Sequence, residues 1–249
     1  METKTILITG ANGYIGHHVV NYLLNLGMKV FAVDNNFTDI DPRANLITAD
    51  IFSENPGLDS IIDKTDVCLH LAWRNSFIHN SDSHISQLTD HFNFIRSFLE
   101  RGLRHIAIIG SMHEIGCWEG CVNENTPANP TSLFGIAKNS LRQSIKVLTN
   151  DSDIVFQWLR VFYIIGDDQR NHSIFTKILK DAQDGKKTFP VTKGTNEYDF
   201  ISIDELSEQI SLCIIQNDVT GIINCCSGKS VPLRNAIDNF LLTNKLEII

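Results

Sequence analysis

Short apolar runs rich in β-branched residues alternate along this chain with longer segments in which apolar residues recur every three or four positions. The short runs are typical of strands buried on both faces, and the longer segments are typical of amphipathic helices. The predicted strands are Thr5–Thr9, Lys29–Val33, Leu46–Ala49, Val67–Leu71, His105–Ile109, Val155–Arg160 and Ile222–Cys225. The predicted helices are Tyr14–Leu26, Ser83–Arg101, Ser132–Thr149, Ser173–Asp184 and Asp204–Ile214. This alternation predicts an α/β fold, in which a doubly wound parallel sheet is covered by helices.

Glycines mark the turn between the first predicted strand and the first predicted helix. Gly10, Gly13 and Gly16 follow the strand, and Tyr14 and Ile15 begin the helix. A chain that turns sharply beside a diphosphate has no room for side chains, and the N–H groups of the helix N-terminus attract the phosphates. Because a strand precedes this turn and an amphipathic helix and a second strand follow it, the pattern predicts a Rossmann-type dinucleotide site.

Asp34 ends the second predicted strand, roughly 20 residues after the glycines. A carboxylate there accepts hydrogen bonds from a ribose 2′-hydroxyl and repels a 2′-phosphate. The sequence therefore favours NAD over NADP as the cofactor, although the neighbouring Asn35 or Asn36 could soften that discrimination.

Three polar segments with prolines or glycines are predicted to be loops: Gly116–Pro130, Asp167–Arg170 and Gly185–Asn196. Open parallel sheets bind ligands beyond the carboxyl ends of their strands, so these loops are expected to shape a substrate cleft. We expect two domains. Residues 1–165, with 198–227 returning to them, form a dinucleotide-binding domain, and residues 166–197 and 228–249 form a small C-terminal substrate-binding lobe.

Composition excludes several classes of partner. The 249 residues are 43% hydrophobic, and 21 basic against 29 acidic residues give a formal net charge of -8. Without a basic run, neither nucleic acid nor an anionic membrane surface is an expected partner. No apolar stretch approaches the roughly 18 residues that span a bilayer, and the N-terminus lacks the pattern of a signal peptide, which favours the cytoplasm.

The six cysteines are expected to stay reduced, because several lie in apolar runs of a chain with no export signal. His113, Cys117 and Cys121 recur at a regular interval, but three candidate ligands in a glycine-rich loop do not make a structural zinc site. We therefore expect no metal.

Nicotinamide-dependent oxidation of an alcohol needs a group that takes the hydroxyl proton. A tyrosine with a lysine one helical turn later does this, because the ammonium lowers the pKa of the phenol, and a serine hydroxyl completes the site. Ser111 follows the fifth predicted strand and Lys138 lies on the helix that starts near Ser132, but Phe134 occupies the place of the tyrosine. Lys138 can still bind the ribose, whereas Phe134 has no proton to exchange.

The motifs together resemble the extended short-chain dehydrogenase/reductase family, in its NAD-dependent sugar-nucleotide epimerase, dehydratase and reductase branch. The resemblance covers nearly the whole chain and is carried by Gly10–Gly16, His70–Ala72, Ser111–Gly116, Phe134–Lys138 and Asp199–Asp204, in that order. By this resemblance Asp50 and Ile51 flank the adenine, and Leu71 and Ala72 lie beside the ribose and nicotinamide. Trp73, Arg74, His113 and Tyr163 are then the candidate contacts of a nucleotide-sugar substrate.

The chain departs from the family pattern at several places. Met112 and His113 stand where the dehydratases carry an Asp-Glu pair, which argues against 4,6-dehydration. Tyr163 and Tyr198 replace the family's asparagine after the sixth strand and its arginine before the Asp-Phe-Ile motif. Phe134 has three explanations: an engineered, inactivating substitution, a natural homologue that binds without catalysis, or a proton donor displaced to His113, Tyr163 or Glu114.

The resemblance implies a sugar-nucleotide 4-ketoreductase, or the reverse dehydrogenase, that moves a hydride between nicotinamide and sugar C4. The alternative enzyme is a 4-epimerase, which keeps its cofactor and turns the keto-sugar between two half-reactions. An alternative of another class is a catalytically silent NAD-binding protein. Family relatives often dimerise through the helix that carries the lysine, so a homodimer is expected, with an apolar stripe formed by Ile136, Leu141, Ile145 and Leu148.

Overall fold

The structure, a computed structural model, describes residues 2–53, 56–166 and 173–247. The described residues form two compact units. The first contains those up to Val161 together with Ser207–Asn224, and the second contains those of Phe162–Leu206 and those from Cys225 onward. The assignment of separate roles to two parts of the chain stays a prediction.

Ten strands and eight α-helices alternate along the described chain. The strands are β1 Thr5–Thr9, β2 Lys29–Asp34, β3 Asn45–Thr48, β4 Val67–His70, β5 His105–Ser111, β6 Val155–Val161, β7 Tyr163–Ile165, β8 Glu197–Ser202, β9 Gly221–Cys225 and β10 Ser230–Pro232. The helices are α1 Tyr14–Asn25, α2 Pro56–Asp59, α3 Ser83–Ser86, α4 Leu88–Glu100, α5 Leu133–Thr149, α6 Ile174–Gln183, α7 Ile203–Ile214 and α8 Leu233–Thr243. Two 3₁₀ turns, Ile62–Lys64 and Met112–Glu114, complete the regular structure.

The first unit is built on a seven-stranded sheet with the order β3-β2-β1-β4-β5-β6-β9. From β3 to β6 each neighbouring pair is parallel, with Thr5 opposite Lys29 and Ile6 opposite Val67 on the two sides of β1. The order reverses between β1 and β4, which is the topological switch point where doubly wound folds open a crevice at the carboxyl ends of their strands. The predicted Rossmann-type sheet is confirmed.

The core explains why the strands have near-continuous apolar runs. Ile6, Leu7 and Ile8 of β1 are fully buried, because the sheet is covered on both faces. Leu141 and Ile145 of α5 belong to a buried cluster with residues of β5 and α4. Most of the apolar stripe predicted to pair with a second copy therefore packs in the chain's own core, and Ile136 is its exposed member.

The second unit has a three-stranded sheet with the order β10-β8-β7, in which β8 pairs antiparallel with β10 and parallel with β7. Phe175 of α6 packs against Phe240 of α8, with ring centroids 5.0 Å apart. Asp199 in β8 accepts hydrogen bonds from the N–H groups of Ser227 and Gly228, both at 2.8 Å. The aspartate of the Asp199–Asp204 motif thus holds the turn before β10.

The predicted helix Ser83–Arg101 is wrong in one respect, because it is divided at Gln87 into α3 and α4. The side chains of Asn75, Ser81 and Ser83 bond to one another at the start of α3, and such local bonds compete with a regular helix. His84 of α3 is buried. The predicted loop Asp167–Arg170 lies outside the described residues. Within the described ranges, no helix is both long and apolar enough to cross a bilayer.

Candidate active site

The glycine turn after β1 is packed backbone against backbone. Gly10 has a φ of 70° and donates its N–H to the Val33 carbonyl at 3.0 Å. A Cβ on Gly10 would lie 2.6 Å from the Ala72 nitrogen, and one on Gly16 would lie 2.3 Å from the Gly10 oxygen. No side chain fits either place, so the turn leaves the start of α1 clear of side chains, as a cradle for a diphosphate requires.

The N-terminus of α1 suits an anion. Gly13 is the N-cap residue, it is exposed, and α1 carries no acidic residue in its first turn. None of the described side chains caps this end of the helix. Tyr14 is buried and Ile15 is half-buried, so the first turn presents its backbone N–H groups at the positive end of the helix dipole.

Asp34 lies beside this turn at the end of β2. Its carboxylate accepts the Asn12 N–H at 2.9 Å and the Asn35 N–H at 2.8 Å. A carboxylate has about four acceptor sites, so two backbone N–H groups leave capacity for ribose hydroxyls. The structure thus brings the predicted diphosphate and ribose groups together, and these residues fit a bound dinucleotide.

Asp50 and Ile51 follow β3, next to a cavity of about 290 Å³. Ile51 and Phe52 line one side of the cavity, and residues of α4 line the other. Asp50 accepts the Phe52 N–H at 3.1 Å and lies 3.4 Å from the Arg74 guanidinium, in an exposed ion pair. Arg74, predicted to contact the sugar, is therefore engaged by a residue predicted to flank the adenine.

Leu71 and Ala72 join the end of β4 to the glycine turn. The Leu71 N–H donates to the Thr9 carbonyl at 3.1 Å, and the Ala72 N–H points to the Thr9 hydroxyl at 3.4 Å. The same hydroxyl bonds Nδ1 of His70 at 2.8 Å. The His70–Ala72 motif therefore fixes the floor of the crevice at the switch point.

Lys138 lies one helical turn into α5, in the interior. It is 2% exposed, and its Nζ donates to the Ile109 carbonyl at 2.9 Å and lies 3.8 Å from the centre of the Trp73 ring. Ser111 is two residues beyond Ile109 and so lies on the same side of β5. Burial lowers the pKa of the Lys138 ammonium to about 7, and the Glu114 carboxylate opposes this shift. The structure thus places the predicted lysine of α5 against the end of β5 that carries the predicted serine.

Phe134, in the first turn of α5, is enclosed by other rings. It is 7% exposed, and its N–H donates to the His79 carbonyl at 2.8 Å. Centroids of four rings, those of Trp73, His79, His84 and His113, lie between 5.3 and 6.2 Å from its own. Sequence reasoning missed His79 and His84, because one lies in a turn and the other in the short helix α3, and no local motif relates them to residue 134.

Glu114 is excluded as a displaced proton donor by its contacts. It is fully buried and accepts the Ser111 N–H at 2.7 Å and the Trp158 indole N–H at 2.8 Å. The Nε atoms of Arg142 and Arg160 lie 3.3 and 3.9 Å from its carboxylate. Burial raises the pKa of Glu114, while these donors and cations lower it. The side chain therefore holds the end of β5 and does not face solvent.

Tyr163 lies on β7 in the second unit, where its ring meets that of Tyr198 edge to face at 4.6 Å. The two tyrosines that replace the family's asparagine and arginine thus contact each other. Tyr163 belongs to the second unit, whereas the other predicted site residues belong to the first.

Known proteins support this interpretation of the site. The dTDP-6-deoxy-L-talose 4-dehydrogenase (NAD(+)) of Aggregatibacter actinomycetemcomitans is 41% identical over 251 residues, which cover 98% of this chain and 92% of that protein. A UDP-glucose 4-epimerase of Lactobacillus helveticus is 25% identical over 81% of this chain and 69% of its own.

Among solved structures, a tyrosine-to-phenylalanine variant of a Bacillus cereus UDP-glucuronic acid 4-epimerase, in complex with UDP-4-deoxy-4-fluoro-glucuronic acid and NAD, has a TM-score of 0.83 at 23% identity and covers 98% of this chain and 84% of its own. The model of the NAD dependent epimerase/dehydratase family matches residues 6–226. The predicted resemblance and the predicted NAD dependence are thus confirmed, and this chain belongs to the NAD dependent epimerase/dehydratase family.

Proposed function

We propose that this protein is an NAD-dependent sugar-nucleotide 4-dehydrogenase, which also works in the opposite direction as a 4-ketoreductase. The observation that carries the proposal is the buried Lys138 of α5, whose Nζ donates to the carbonyl of Ile109, two residues before Ser111 on β5. It is made in a chain that is 41% identical over nearly its whole length to a 4-dehydrogenase. Bound NAD supplies the chemistry of accepting or returning one hydride. The protein's own residues bind the cofactor and the sugar nucleotide, orient them, and exchange the proton of the sugar hydroxyl.

The cofactor is held mainly by backbone. The N–H groups in the first turn of α1, at Tyr14 and Ile15, bind the diphosphate, because the N-terminal end of a helix attracts anions. The Asp34 carboxylate accepts the adenosine ribose hydroxyls and disfavours a 2′-phosphate. Lys138 donates to the ribose on the nicotinamide side.

At the sugar, the Ser111 hydroxyl donates to the C4 oxygen as charge develops on it. Ser111 is the last residue of β5, and its Oγ already accepts the His113 N–H at 3.3 Å, which fixes its rotamer and leaves its proton for a ligand. Trp73 supplies an apolar face beside the Lys138 ammonium. The second unit, with Tyr163 and Tyr198, is proposed to bind the nucleotide part of the substrate, where thymidine and uridine diphosphates are the first candidates.

A 4-epimerase is the second candidate, because relatives with that activity match most of this chain. An epimerase regenerates its cofactor within each turnover, whereas a dehydrogenase releases one NADH for each sugar oxidised.

The deciding experiment incubates the purified protein and its Phe134→Tyr variant with NAD⁺ and a panel of dTDP- and UDP-hexoses that includes dTDP-6-deoxy-L-talose. Absorbance at 340 nm reports NADH, and mass spectrometry reports the sugar. One NADH per 4-keto product supports the dehydrogenase, whereas an epimerised sugar without NADH favours the epimerase. If neither protein turns over while calorimetry shows NAD binding, the chain is a catalytically silent NAD-binding protein and the proposal fails.

A homodimer and a cytoplasmic location are also proposed. Ile85 of α3 and Ile136 of α5 are 44% and 41% exposed on two helices that pack together, which leaves apolar surface for a second copy. Sedimentation should give twice the chain mass for the wild type and half that value for Ile136→Lys. All six cysteines are free thiols, which suits a reducing compartment, and cell fractionation tests that location.

A further inference from the structure

Three imidazole rings surround Phe134, the residue that cannot exchange a proton. The ring centroids of His79, His84 and His113 lie 5.8, 5.3 and 5.9 Å from that of Phe134. Imidazole is the side chain most often used as a general base, because its ordinary pKa lies near neutrality. A histidine in this ring cluster can replace the missing tyrosine if a substrate can reach its nitrogens.

His84 is excluded because both of its ring nitrogens are occupied. The Trp73 indole N–H donates to Nδ1 of His84 at 3.1 Å, so Nε2 carries the proton and donates to the Ile78 carbonyl at 3.0 Å. The ring is also 1% exposed. His84 therefore supports Trp73 and offers no nitrogen to a ligand.

His113 and His79 are accessible and in contact with each other. His79 is exposed, His113 is half-buried, and their ring centroids are 4.2 Å apart. His113 follows Ser111 by two residues, and its N–H donates to the Ser111 hydroxyl. The backbone of His113 is thus fixed at the Ser111 hydroxyl, and its ring contacts that of the exposed His79.

Both histidines are fixed to the first turn of α5. A Cβ on Gly135 would lie 2.3 Å from the His113 carbonyl oxygen, so the backbone at His113 rests directly on the helix. The His79 carbonyl accepts the Phe134 N–H at 2.8 Å, and the neighbouring Asn80 side chain accepts the Leu133 N–H at 3.2 Å. Three segments of the first unit therefore meet at residue 134, and two of them bring an imidazole.

Both imidazoles are neutral at pH 7. Burial lowers the pKa of His113 to about 4, with His79 adding to the effect, and burial also lowers the pKa of His79, with His84 adding to it. The other ionisable groups of these elements are Glu114 in the same 3₁₀ turn and three cations on α5, Lys138, Arg142 and Lys146. Both rings are therefore in the neutral form that can accept a proton at pH 7, while burial makes His113 a weaker base than a free imidazole.

We propose that His113 takes the proton of the sugar C4 hydroxyl in place of the absent tyrosine, and that His79 relays this proton to solvent. The inference rests on the proposed function. The C4–H electron pair leaves as a hydride to NAD⁺, the O–H electron pair becomes the second bond of the ketone, and the proton goes to a ring nitrogen of His113. The products are a 4-keto sugar, NADH and one proton released to water.

Chemical rescue tests this role. His113→Ala should lower kcat at least 100-fold, in line with the roughly 10²- to 10⁴-fold contribution of a positioned base. Free imidazole in the buffer should restore at least tenfold of that loss in a concentration-dependent way, because it enters the space left by the ring. Ser111→Ala is the matched control: it also loses activity, but imidazole does not restore it. His79→Ala should show a smaller loss that imidazole also restores.

A second measurement needs no cofactor. Titrating the NAD-free wild type with dTDP-6-deoxy-L-talose should shift the His113 ring Cε1–H resonance saturably, and His113→Ala assigns that resonance. The inference is overturned if the wild type oxidises the sugar and His113→Ala stays within threefold of it, if imidazole rescues neither histidine variant, or if the resonance does not move. Those results leave the proposed function standing. Activity in Phe134→Tyr but not in the wild type would overturn the role of His113 and leave the proposed dehydrogenase activity in place. Inactivity of both proteins would overturn the role of His113 and the proposed function.

Discussion

Replacing Gly10 with alanine should damage the protein far more than the same change at Gly27, although the two backbones are nearly alike. Gly10 has a φ of 70° before α1, and Gly27 has a φ of 78° after it. An alanine in this left-handed region costs about 1–2 kcal/mol, and the lower entropy of the unfolded chain returns about 0.4–1 kcal/mol. This cost is common to both variants.

The two variants differ in the atoms that the new Cβ would meet. A Cβ on Gly27 would meet nothing within 4 Å, whereas one on Gly10 would lie 2.6 Å from the Ala72 nitrogen and 2.7 Å from its Cα. Ordinary contact begins at 3.4 Å, so the turn and the strand end must separate by 3.4 − 2.6 = 0.8 Å. Forced overpacking of this kind costs about 1–3 kcal/mol. We therefore expect Gly27→Ala to lose about 0–1.5 kcal/mol of unfolding free energy and Gly10→Ala to lose about 1–4.5 kcal/mol.

The cofactor should report the same displacement. A charged hydrogen bond contributes about 1.5–3 kcal/mol, so misplacing one N–H of the cradle should weaken NAD binding at least tenfold in Gly10→Ala. Gly27→Ala should bind NAD within twofold of the wild type. Urea unfolding followed by tryptophan fluorescence and calorimetric titration with NAD measure the two effects. Equal stabilities within 0.5 kcal/mol and equal NAD affinities in the two variants would refute the packed turn as the cofactor cradle.

The remaining predictions concern charge. Asp34→Ala removes the carboxylate beside the glycine turn, so calorimetry should show the NAD over NADP affinity ratio falling at least tenfold, and an unchanged ratio would contradict its role. His70 and His91 are buried with ring nitrogens 2.9 Å apart, and burial lowers the pKa of His70 to about 3 and also lowers that of His91. In the unfolded chain the pKa of each histidine is about 6.5, so their contribution to the free energy of unfolding is complete above that pH. Below it, the free energy of unfolding should fall by about 1.4 kcal/mol per pH unit for each histidine. Urea denaturation between about pH 7.5 and 5.5 measures this slope, and His91→Gln should make it shallower. Glu114→Gln leaves buried guanidinium groups without their carboxylate and should cost about 3–5 kcal/mol in urea unfolding, whereas a loss under 1 kcal/mol would show that the cluster is not held by charge.

The sequence predicts the first unit well, because its information there is local. The strands that were predicted agree with those observed to within one or two residues, since each is an apolar run between turn residues. The second unit was predicted less completely. Its strands β7, β8 and β10 and the helix α8 have short or mixed patterns, and their pairing depends on partners distant in sequence.

Buried polar contacts are the second feature that the sequence does not predict. A carboxylate in the loop after β5 reads as a surface residue, and only the fold shows that Glu114 is enclosed by Trp158 and two arginines from α5 and β6. Gly110 belongs to the same arrangement, because a Cβ there would lie 2.1 Å from the Trp158 indole nitrogen. Neither relation follows a helical or strand period, so no pattern along the chain could have predicted it.

The cofactor half of the candidate site is formed by backbone, and its proton-transfer half is formed by side chains. The proposed role of His113 uses this difference to account for a phenylalanine at residue 134 in a chain that has the other motif residues. The diphosphate cradle is made of backbone packed on backbone at Gly10 and Gly16. It therefore requires glycines at fixed positions, and a sequence motif can be recognised from them. The proton-transfer half is made of side chains from three segments that meet at the first turn of α5. We propose that an imidazole from one segment replaces there the hydroxyl lost from another, because the His113 ring centroid lies 5.9 Å from that of Phe134 and 4.2 Å from that of His79. Such an exchange changes the sequence motif but keeps a group that accepts the proton of the sugar hydroxyl. Restoration of His113→Ala activity by free imidazole is the measurement that tests it.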